Sequence, residues 1–574
     1  MTTPTTSGRS LQGIGRRILL TYRYLGLRTL VWRALSFPLR FTPLRLRLGF
    51  GTPAEQHLYE AARWHRREGP PVTLIRAGEP FVAPPGHDLA VLGDGVQPDR
   101  TCVAALQFAA HEEPGTGVTT GLLLTPDGAI AAAGLARSTK EPDATAGRYA
   151  GRTADHGPAQ VAGPVLAGSP ACSVITAAAL EAVGDAEGVE EASLRAWEAG
   201  HAVRYVPAAT ARLRRPQAPP APVGLARRLD QRPVRTAGGR LRVIYVTQAT
   251  SVGGGHRDIY EHLNRLQARG HDVSLFTLGP PPDWFELEAP LRSFPDWEAL
   301  TAALDGEEAI KVATWWRSAM PVWLASRRRG VPVYFVQDVE TSYYPGDQRS
   351  QDRVLDTYRT EFRYMTISGY NRDGLRELGL EAEIIPPGID LETFRPLPGP
   401  RREDMLLALG RGNHLKNLDL TVDAWKALGE PRPELCLFGI EPELGQRHGA
   451  RYVTAPSDEE VNALFNQATV FLQTSRHEGF ALPPLEAMAT GAAVVCTDAH
   501  GNRDFCVDGV NCLMPASDVD AVRAAVERLL GDPDLRRRLG EEGIRTAQEY
   551  AWERRIDALE AFLDDIAWRP GPPT

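Results

Sequence analysis

The chain has 574 residues, 43% hydrophobic and 24% charged, with a formal net charge of −8. That length exceeds what one core supports, and the composition excludes disordered, collagenous and disulfide-stapled classes. Cysteines at 102, 172, 436, 496, 506 and 512 show no CxxC pairing, which points to a reducing cytoplasm, with Cys436 and Cys496 as inert strand residues and no zinc site.

Residues 1–50 carry Arg9, Arg16, Arg17, Arg23, Arg28, Arg33, Arg40, Arg45 and Arg47 with no acid or Lys, interleaved with Ile18, Leu19, Leu25, Leu30 and Trp32. Two readings follow: a segment lying on an anionic membrane surface, and a basic helix docked on the acidic body. Nucleic acid is excluded as a partner because the remaining, acidic surface repels phosphates. Arg23, Arg28 and Arg33 interrupt any apolar signal core. The longest uncharged run, Gly157 to Leu180, contains Pro158, Pro164 and Pro170 and reads as loop plus strand rather than a membrane span.

Residues 55–215 form a first module, with strand patterns at Val72–Ile75, Leu89–Leu92, Gly121–Thr125 and Ala202–Pro207. Between them lies Gly93-Asp94-Gly95, whose single carboxylate is a poor basis for holding Mg²⁺. Residues 216–240, with Pro216, Pro219, Pro220, Pro222 and Gly238-Gly239, read as a linker.

From Leu241 to Thr247 a buried strand runs into Gly253-Gly254-Gly255-His256, a helix to Arg269 and a second strand at 270–276. That order is a parallel βαβ unit without the spacing of a dinucleotide loop. Strand patterns at 310–315, 331–336 and 364–368 complete a doubly wound domain over 241–390, closed by the connector Ile384–Asp390 with Phe394 and Pro396. Residues 391–567 repeat the alternation. In that second domain Leu406–Leu409 enters a turn carrying Arg411 and Lys416, and a helix begins at Leu418. Cations fixed on such a turn suit an anion whose charge grows as a bond to it breaks.

The segment from Glu478 through Gly479, Phe480, Ala481, Leu482, Pro483 and Pro484 to Glu486 and Gly491 places two carboxylates around a loop and a helix start. The prolines pre-set φ for the first turn, so Glu486 falls just inside the helix. Free N–H groups there attract a diphosphate. The carboxylates beside it must then accept from hydroxyls, as a ribose and a hexose offer.

These strings resemble the retaining GT-B glycosyltransferases of family 4: Glu, seven residues, Glu; a strand followed by Gly-Arg and then Lys; and the N-terminal glycine loop. The resemblance covers about residues 240–565. It implies an α/β, GT-B fold of two Rossmann-like doubly wound domains with a cleft between them, the last helices returning to the first domain. It also implies roles: Glu478 near the donor sugar, Glu486 on the ribose, Arg411 and Lys416 on the diphosphate. Asp338 joins Glu478, Arg411 and Lys416 in the catalytic set, and Gly254, Gly255, Gly439, Ser475, Gly479, Phe480, Ala481 and Leu482 complete the donor-binding set.

One departure stands at Gln337, where many members carry His; Gln cannot shuttle a proton. Asp338 and Glu340 beside it either serve the site or form a solvated strand end. The string through Tyr343-Tyr344-Pro345 resembles rhamnosyltransferases of bacterial surface glycans. The pieces in 55–215 resemble the later half of a family 2 GT-A transferase, which implies a degenerate, non-catalytic α/β remnant; a second active transferase is the other reading. The implied activity is retaining, metal-independent and cofactor-free transfer of a hexose or deoxyhexose from a nucleotide-diphosphate sugar to a glycan or lipid-linked glycan. It would occur in the cytoplasm, with the inner face of the plasma membrane as the candidate surface. A non-catalytic scaffold and a GT-B epimerase are the alternatives.

Overall fold

The computed structural model describes residues 52–215 and 224–567. The basic segment 1–50 and the proline-rich stretch 216–223 of the expected linker lie outside the described residues. The described chain divides into two compact units, residues 52–137 with 144–215 and residues 138–143 with 224–567.

The first unit opens with helix α1 (Pro53–Arg67), whose start is fixed by a capping box between Thr52 and Glu55. Its eight-stranded sheet has a main path through β1 (Val72–Arg76), β2 (Asp88–Leu92), β3 (Val96–Pro98), β4 (Thr116–Leu124), β5 (Cys172–Ile175) and β6 (Ala202–Leu213). The spatial order is β1-β2-β5-β4-β6-β3. Only β1 with β2 and β4 with β6 run parallel along that path; the other neighbours are antiparallel. Helix α2 (Cys102–Glu112) packs on it. Asp94 sits exposed on the turn after β2.

The second unit contains two fully parallel sheets. One uses β7 (Arg242–Thr247), β8 (Asp272–Thr277), β9 (Leu291–Ser293), β10 (Ile310–Ala313), β11 (Val331–Val336), β12 (Arg363–Thr366) and β13 (Ala382–Ile384), in the order β9-β8-β7-β10-β11-β12-β13. Strand order reverses at β7, and helix α3 (Gly254–Ala268) leaves that strand's carboxyl end through the glycine loop. The other uses β14 (Met405–Leu409), β15 (Glu434–Gly439), β16 (Arg451–Thr454), β17 (Val470–Gln473) and β18 (Ala493–Cys496), in the order β16-β15-β14-β17-β18. Its reversal point is β14. Helix α4 (Leu418–Lys426) follows β14, and helix α5 (Leu482–Ala489) follows β17. Parallel strands buried on both faces read as continuous apolar runs, which is why β11 and β18 are buried throughout. Ligands of such sheets bind outside the carboxyl ends of strands at the reversal point.

The last helix, α6 (Trp552–Ile566), returns to the first sheet. Its Glu560 accepts from Arg269 at 2.6 Å and faces His271 Nε2 at 2.9 Å, while Asp564 accepts from Arg235 at 2.6 Å. Gly388 leaves room for Trp552, whose ring lies 2.3 Å from where a Cβ would stand.

Candidate active site

The site is built on the loop between β17 and α5. Glu478, buried there, receives three donors: Ser475 Oγ at 2.7 Å and Gln473 Nε2 at 3.0 Å on one oxygen, and Lys416 Nζ at 2.6 Å on the other. Lys416 is positioned by the turn after β14. Its N–H closes on the Asn413 carbonyl at 2.9 Å, and Asn417, in the left-handed region with φ 52°, starts α4 and donates through Nδ2 to the Thr474 carbonyl at 3.1 Å. Arg476 N–H reaches Leu415 O at 2.8 Å. The two loops are therefore laced together, and the Lys416–Glu478 pair is a product of both.

Arg411, on the same turn, donates from Nε to Glu441 at 3.2 Å, and Gly412 N–H donates to the same carboxylate at 3.0 Å. Glu441 follows Gly439, which ends β15 beside Gly410. The basic turn is thus not simply solvated: Arg411 and Lys416 are both half-buried and carry carboxylate partners.

Helix α5 begins after Ala481 in the left-handed region, φ 79°. Among the described residues the N–H groups of Gly479, Phe480, Ala481 and Leu482 have no hydrogen-bond partner, as the sequence led one to expect of this helix start. Gly479 is required for a different reason than anion access. A Cβ there would lie 2.2 Å from the Gln337 carbonyl oxygen, so the loop presses against the end of β11 in the other sheet. Phe480 points away from the cleft, packing on Phe505 and Tyr550 with ring centroids 5.1 and 5.7 Å apart, and Ala481 is buried beside it. Phe480 and Ala481 can therefore offer a ligand only their backbone. Ser475 is turned inward onto Glu478.

Glu486 lies half-buried on α5, in a cavity also lined by Arg257, Glu261, Asp390, Leu482 and Trp552. Burial pushes its carboxyl up to about 7, against the pull of the Arg257 guanidinium. Arg257 comes from α3 and grips Asp458 at 2.5 and 2.8 Å, joining the two sheets' helices. The glycine loop approaches from the same side. Gly254 lies against Leu482, and Gly255 faces Gln337, whose Nε2 donates to the Gly255 carbonyl at 3.2 Å.

The solvated strand-end reading of Asp338 and Glu340 fails, because both are buried at 6% and 2% exposure. Glu340 accepts from Tyr334 and Tyr358, and burial pushes it up to about 7. Asp338 meets His477 Nε2 at 2.9 Å from each oxygen and accepts from Ser342 at 3.2 Å. His477 Nδ1 lies 2.9 Å from His500 Nδ1, and His500 stacks on Tyr370 at 4.6 Å. The Asp338 carboxylate holds the His477 imidazole above its ordinary value, whereas burial and His477 hold His500 below. A protonated His477 donating to both partners satisfies all of these atoms.

Sequence reading therefore missed that an imidazole is present although Gln337 is not one: His477 supplies it from the opposite sheet. His500, Glu441, Arg257 and Asp458 were missed as well. His477 abuts Glu478 in the chain, which was a usable signal; its partner lies 139 positions away and gave none.

Two parallel sheets, each reversing order behind a loop-to-helix turn, with paired cations and carboxylates across their facing edges, define a GT-B glycosyltransferase. The comparisons agree: the Glycosyltransferase Family 4 description matches residues 252–393 and Glycosyl transferases group 1 matches 391–546. The chain belongs to this family and is a hexosyl-transferring enzyme. It is 25% identical over 334 residues to a D-inositol 3-phosphate glycosyltransferase of Salinispora tropica, covering 47% of this chain and 68% of that one. It is 32% identical over 187 residues to an MMP alpha-(1->4)-mannosyltransferase of Mycolicibacterium hassiacum, covering 30% of this chain and 46% of the other. Among solved structures, sucrose-phosphate synthase from Thermosynechococcus elongatus superposes with a TM-score of 0.51 at 19% identity, over 57% of this chain and 99% of that one. Anabaena Alr3699/HepE, in complex with UDP and glucose, does so at 0.50 and 14%, over 56% and 99%. Among the described residues no helix is long and apolar enough to cross a membrane.

Proposed function

We propose that residues 241–567 transfer a hexose or deoxyhexose, with retention, from a nucleotide-diphosphate sugar to a glycan or lipid-linked glycan of a bacterial surface polysaccharide. The observation carrying this reading is the Lys416–Glu478 pair, 2.6 Å apart, beside the unpartnered N–H groups that open α5. The helix start and Arg411 and Lys416 receive the diphosphate, and their fixed charge stabilises the leaving phosphate as its bond to the sugar breaks. That phosphate takes the acceptor proton, so the reaction needs no His at 337 and no metal. Glu486 accepts from the ribose, and Glu478 orients the sugar.

His477, held by Asp338, ties the Glu478 loop to β11 and so fixes the cleft wall. This makes Asp338 a positioning residue whose effect passes through His477. Anabaena Alr3699/HepE is also solved in complex with UDP-glucose, a donor of the proposed class. The string through Tyr343-Tyr344-Pro345 favours rhamnose, and the arginines of 1–50 favour an acceptor at an anionic membrane surface. Residues 55–215 are proposed to be accessory.

A panel of nucleotide sugars screened by thermal shift tests the reading, since a ligand at a hundred times its Kd adds about 2.7 kcal/mol to the folded state. At least one nucleoside-diphosphate sugar should raise the midpoint, and the Lys416→Ala variant should lose the shift. A panel in which no nucleotide sugar moves the midpoint rejects the donor site.

A further inference from the structure

Behind the Glu478 loop lie three cysteines that the transfer site does not use. Cys496 ends β18, Cys506 follows the short turn Gly501–Asp504, and Cys512 precedes the residue that bridges back to Val495. Their sulfurs all lie within 4.8 Å of one another, with Cys496 and Cys506 3.5 Å apart, and each residue is buried. The sequence reading of Cys496 as an inert strand residue did not anticipate its two sulfur neighbours. Cys436 does fit that description, its thiol meeting only a backbone carbonyl at 3.9 Å.

Thiols are weak donors and weak acceptors, so hydrogen bonding alone gives three of them little reason to converge. The segment carrying them is nevertheless held firmly. Asn502 Nδ2 donates to the Thr497 carbonyl at 2.9 Å and faces Cys496 Sγ at 3.6 Å; Asn511 accepts from Val507 N–H at 2.8 Å and donates to Phe505 O at 2.7 Å. Val507 and Val510 are about half exposed, which puts the triad one residue below solvent.

Three sulfurs in a plane about 2.3 Å from one cation stand about 4 Å apart, within the range seen here. Among the described residues no fourth His, Cys, Asp or Glu ligand atom joins the group, so a tetrahedral zinc site would lack a ligand. Soft thiolate sets of this kind select copper(I). We propose that Cys496, Cys506 and Cys512 form a three-coordinate thiolate site for a soft monovalent cation of the copper(I) type. Binding displaces the thiol protons still present to solvent. Gly501 N–H donates to the Glu478 carbonyl at 3.1 Å and Phe505 packs on Phe480, so the cation would brace the loop that carries the donor-sugar carboxylate.

The test uses the reduced full-length chain under anaerobic conditions, with copper(I) supplied as its acetonitrile complex and challenged by a chromogenic copper(I) chelator. One equivalent should be retained, with thiolate-to-copper charge-transfer absorbance in the ultraviolet. Cys506→Ala and Cys512→Ala should each lose it, and Cys102→Ala should keep it, although Cys102 and Cys172 form a two-sulfur pair 3.4 Å apart. Circular dichroism checks the folding of each variant, and the size-conserving Cys506→Ser replaces any that fails. The proposal is overturned if the native chain retains no copper, if both triad variants retain it, if Cys102→Ala loses it, or if zinc(II) is held more tightly than copper(I).

Discussion

The two units handle buried charge in opposite ways. In the first, the buried carboxylate of Asp88 is saturated from within its own unit: Gln107 at 2.8 Å, His111 at 2.7 Å and the Ala177 N–H at 2.9 Å all converge on it. Asp94, the residue a metal-dependent transferase would rely on, stands exposed on a turn. In the second unit, Glu478 pairs with Lys416, Asp338 with His477 and Arg257 with Asp458, across elements far apart in sequence, at the edge where two sheets face each other. Charge that only stabilises a fold can be closed locally. Charge that must answer to a ligand is held between parts that a ligand can also touch.

The largest effect expected from breaking that contrast is on turnover. Lys416→Ala removes the cation proposed to face the leaving phosphate and also strips Glu478 of its counter-charge, so the rate should fall about 10²- to 10³-fold, the cost of losing one preorganised donor. Arg411→Ala should follow at the lower end, because Gly412 N–H still holds Glu441. Single-turnover measurements on purified, folded variants check both; normal turnover would place the diphosphate elsewhere.

Donor affinity comes next. Glu486→Ala should cost about 1.5–3 kcal/mol, the contribution of a hydrogen bond to a charged acceptor. The same group gives a pH signature. Its folded value is raised to about 7 from 4.5, so its proton stabilises the folded chain at low pH and that contribution disappears as pH rises through about 7. The ionised form is the better ribose acceptor. Donor affinity measured by calorimetry should therefore strengthen as pH rises through about 7 in the native enzyme and stay flat in Glu486→Gln.

Much of this was legible in the sequence, for a physical reason. Parallel strands buried on both faces must be apolar runs, so β7, β10, β11 and β12 stood out, and Pro483 and Pro484 marked the start of α5. Lys416 and Glu478 could each be singled out as candidates in the sequence, but their contact could not. It depends on how far the turn after β14 reaches over the turn after β17, and neither sequence records that. The inward direction of Phe480 was hidden for the same reason: its partners Phe505 and Tyr550 come from later elements. Gln337 marked the place where many family members carry His, and only the folded cleft brings His477 to Asp338.

That pair offers a smaller test. His477→Phe should lower donor affinity less than Glu486→Ala does, by about 1.5 kcal/mol, because in the proposed site His477 positions the loop and makes no contact with the ribose. Its folded value is raised above 6.5, so its stabilisation is fully present below that pH and is lost as pH rises through the raised value. The melting-temperature advantage of the native chain over His477→Phe should shrink accordingly towards alkaline pH. An advantage that grows with pH would remove the ion pair from the account.

The smallest expected effect is the one that bears most directly on the contrast between the units. Asp94→Ala, and EDTA on the native chain, should each leave transfer unchanged, because Asp94 is exposed and a single carboxylate cannot provide the oxygen set that Mg²⁺ demands. Stability should likewise move by no more than about 0.5 kcal/mol, as for a surface substitution away from caps and networks. Asp88→Asn supplies the internal comparison. It disturbs a buried carboxylate with three donors, so it should destabilise the chain while leaving the activity of the molecules that remain folded intact. Activity lost in Asp94→Ala with stability retained would move the chemistry into residues 55–215, and the saturated Asp88 would then belong to a working transferase rather than to a framework.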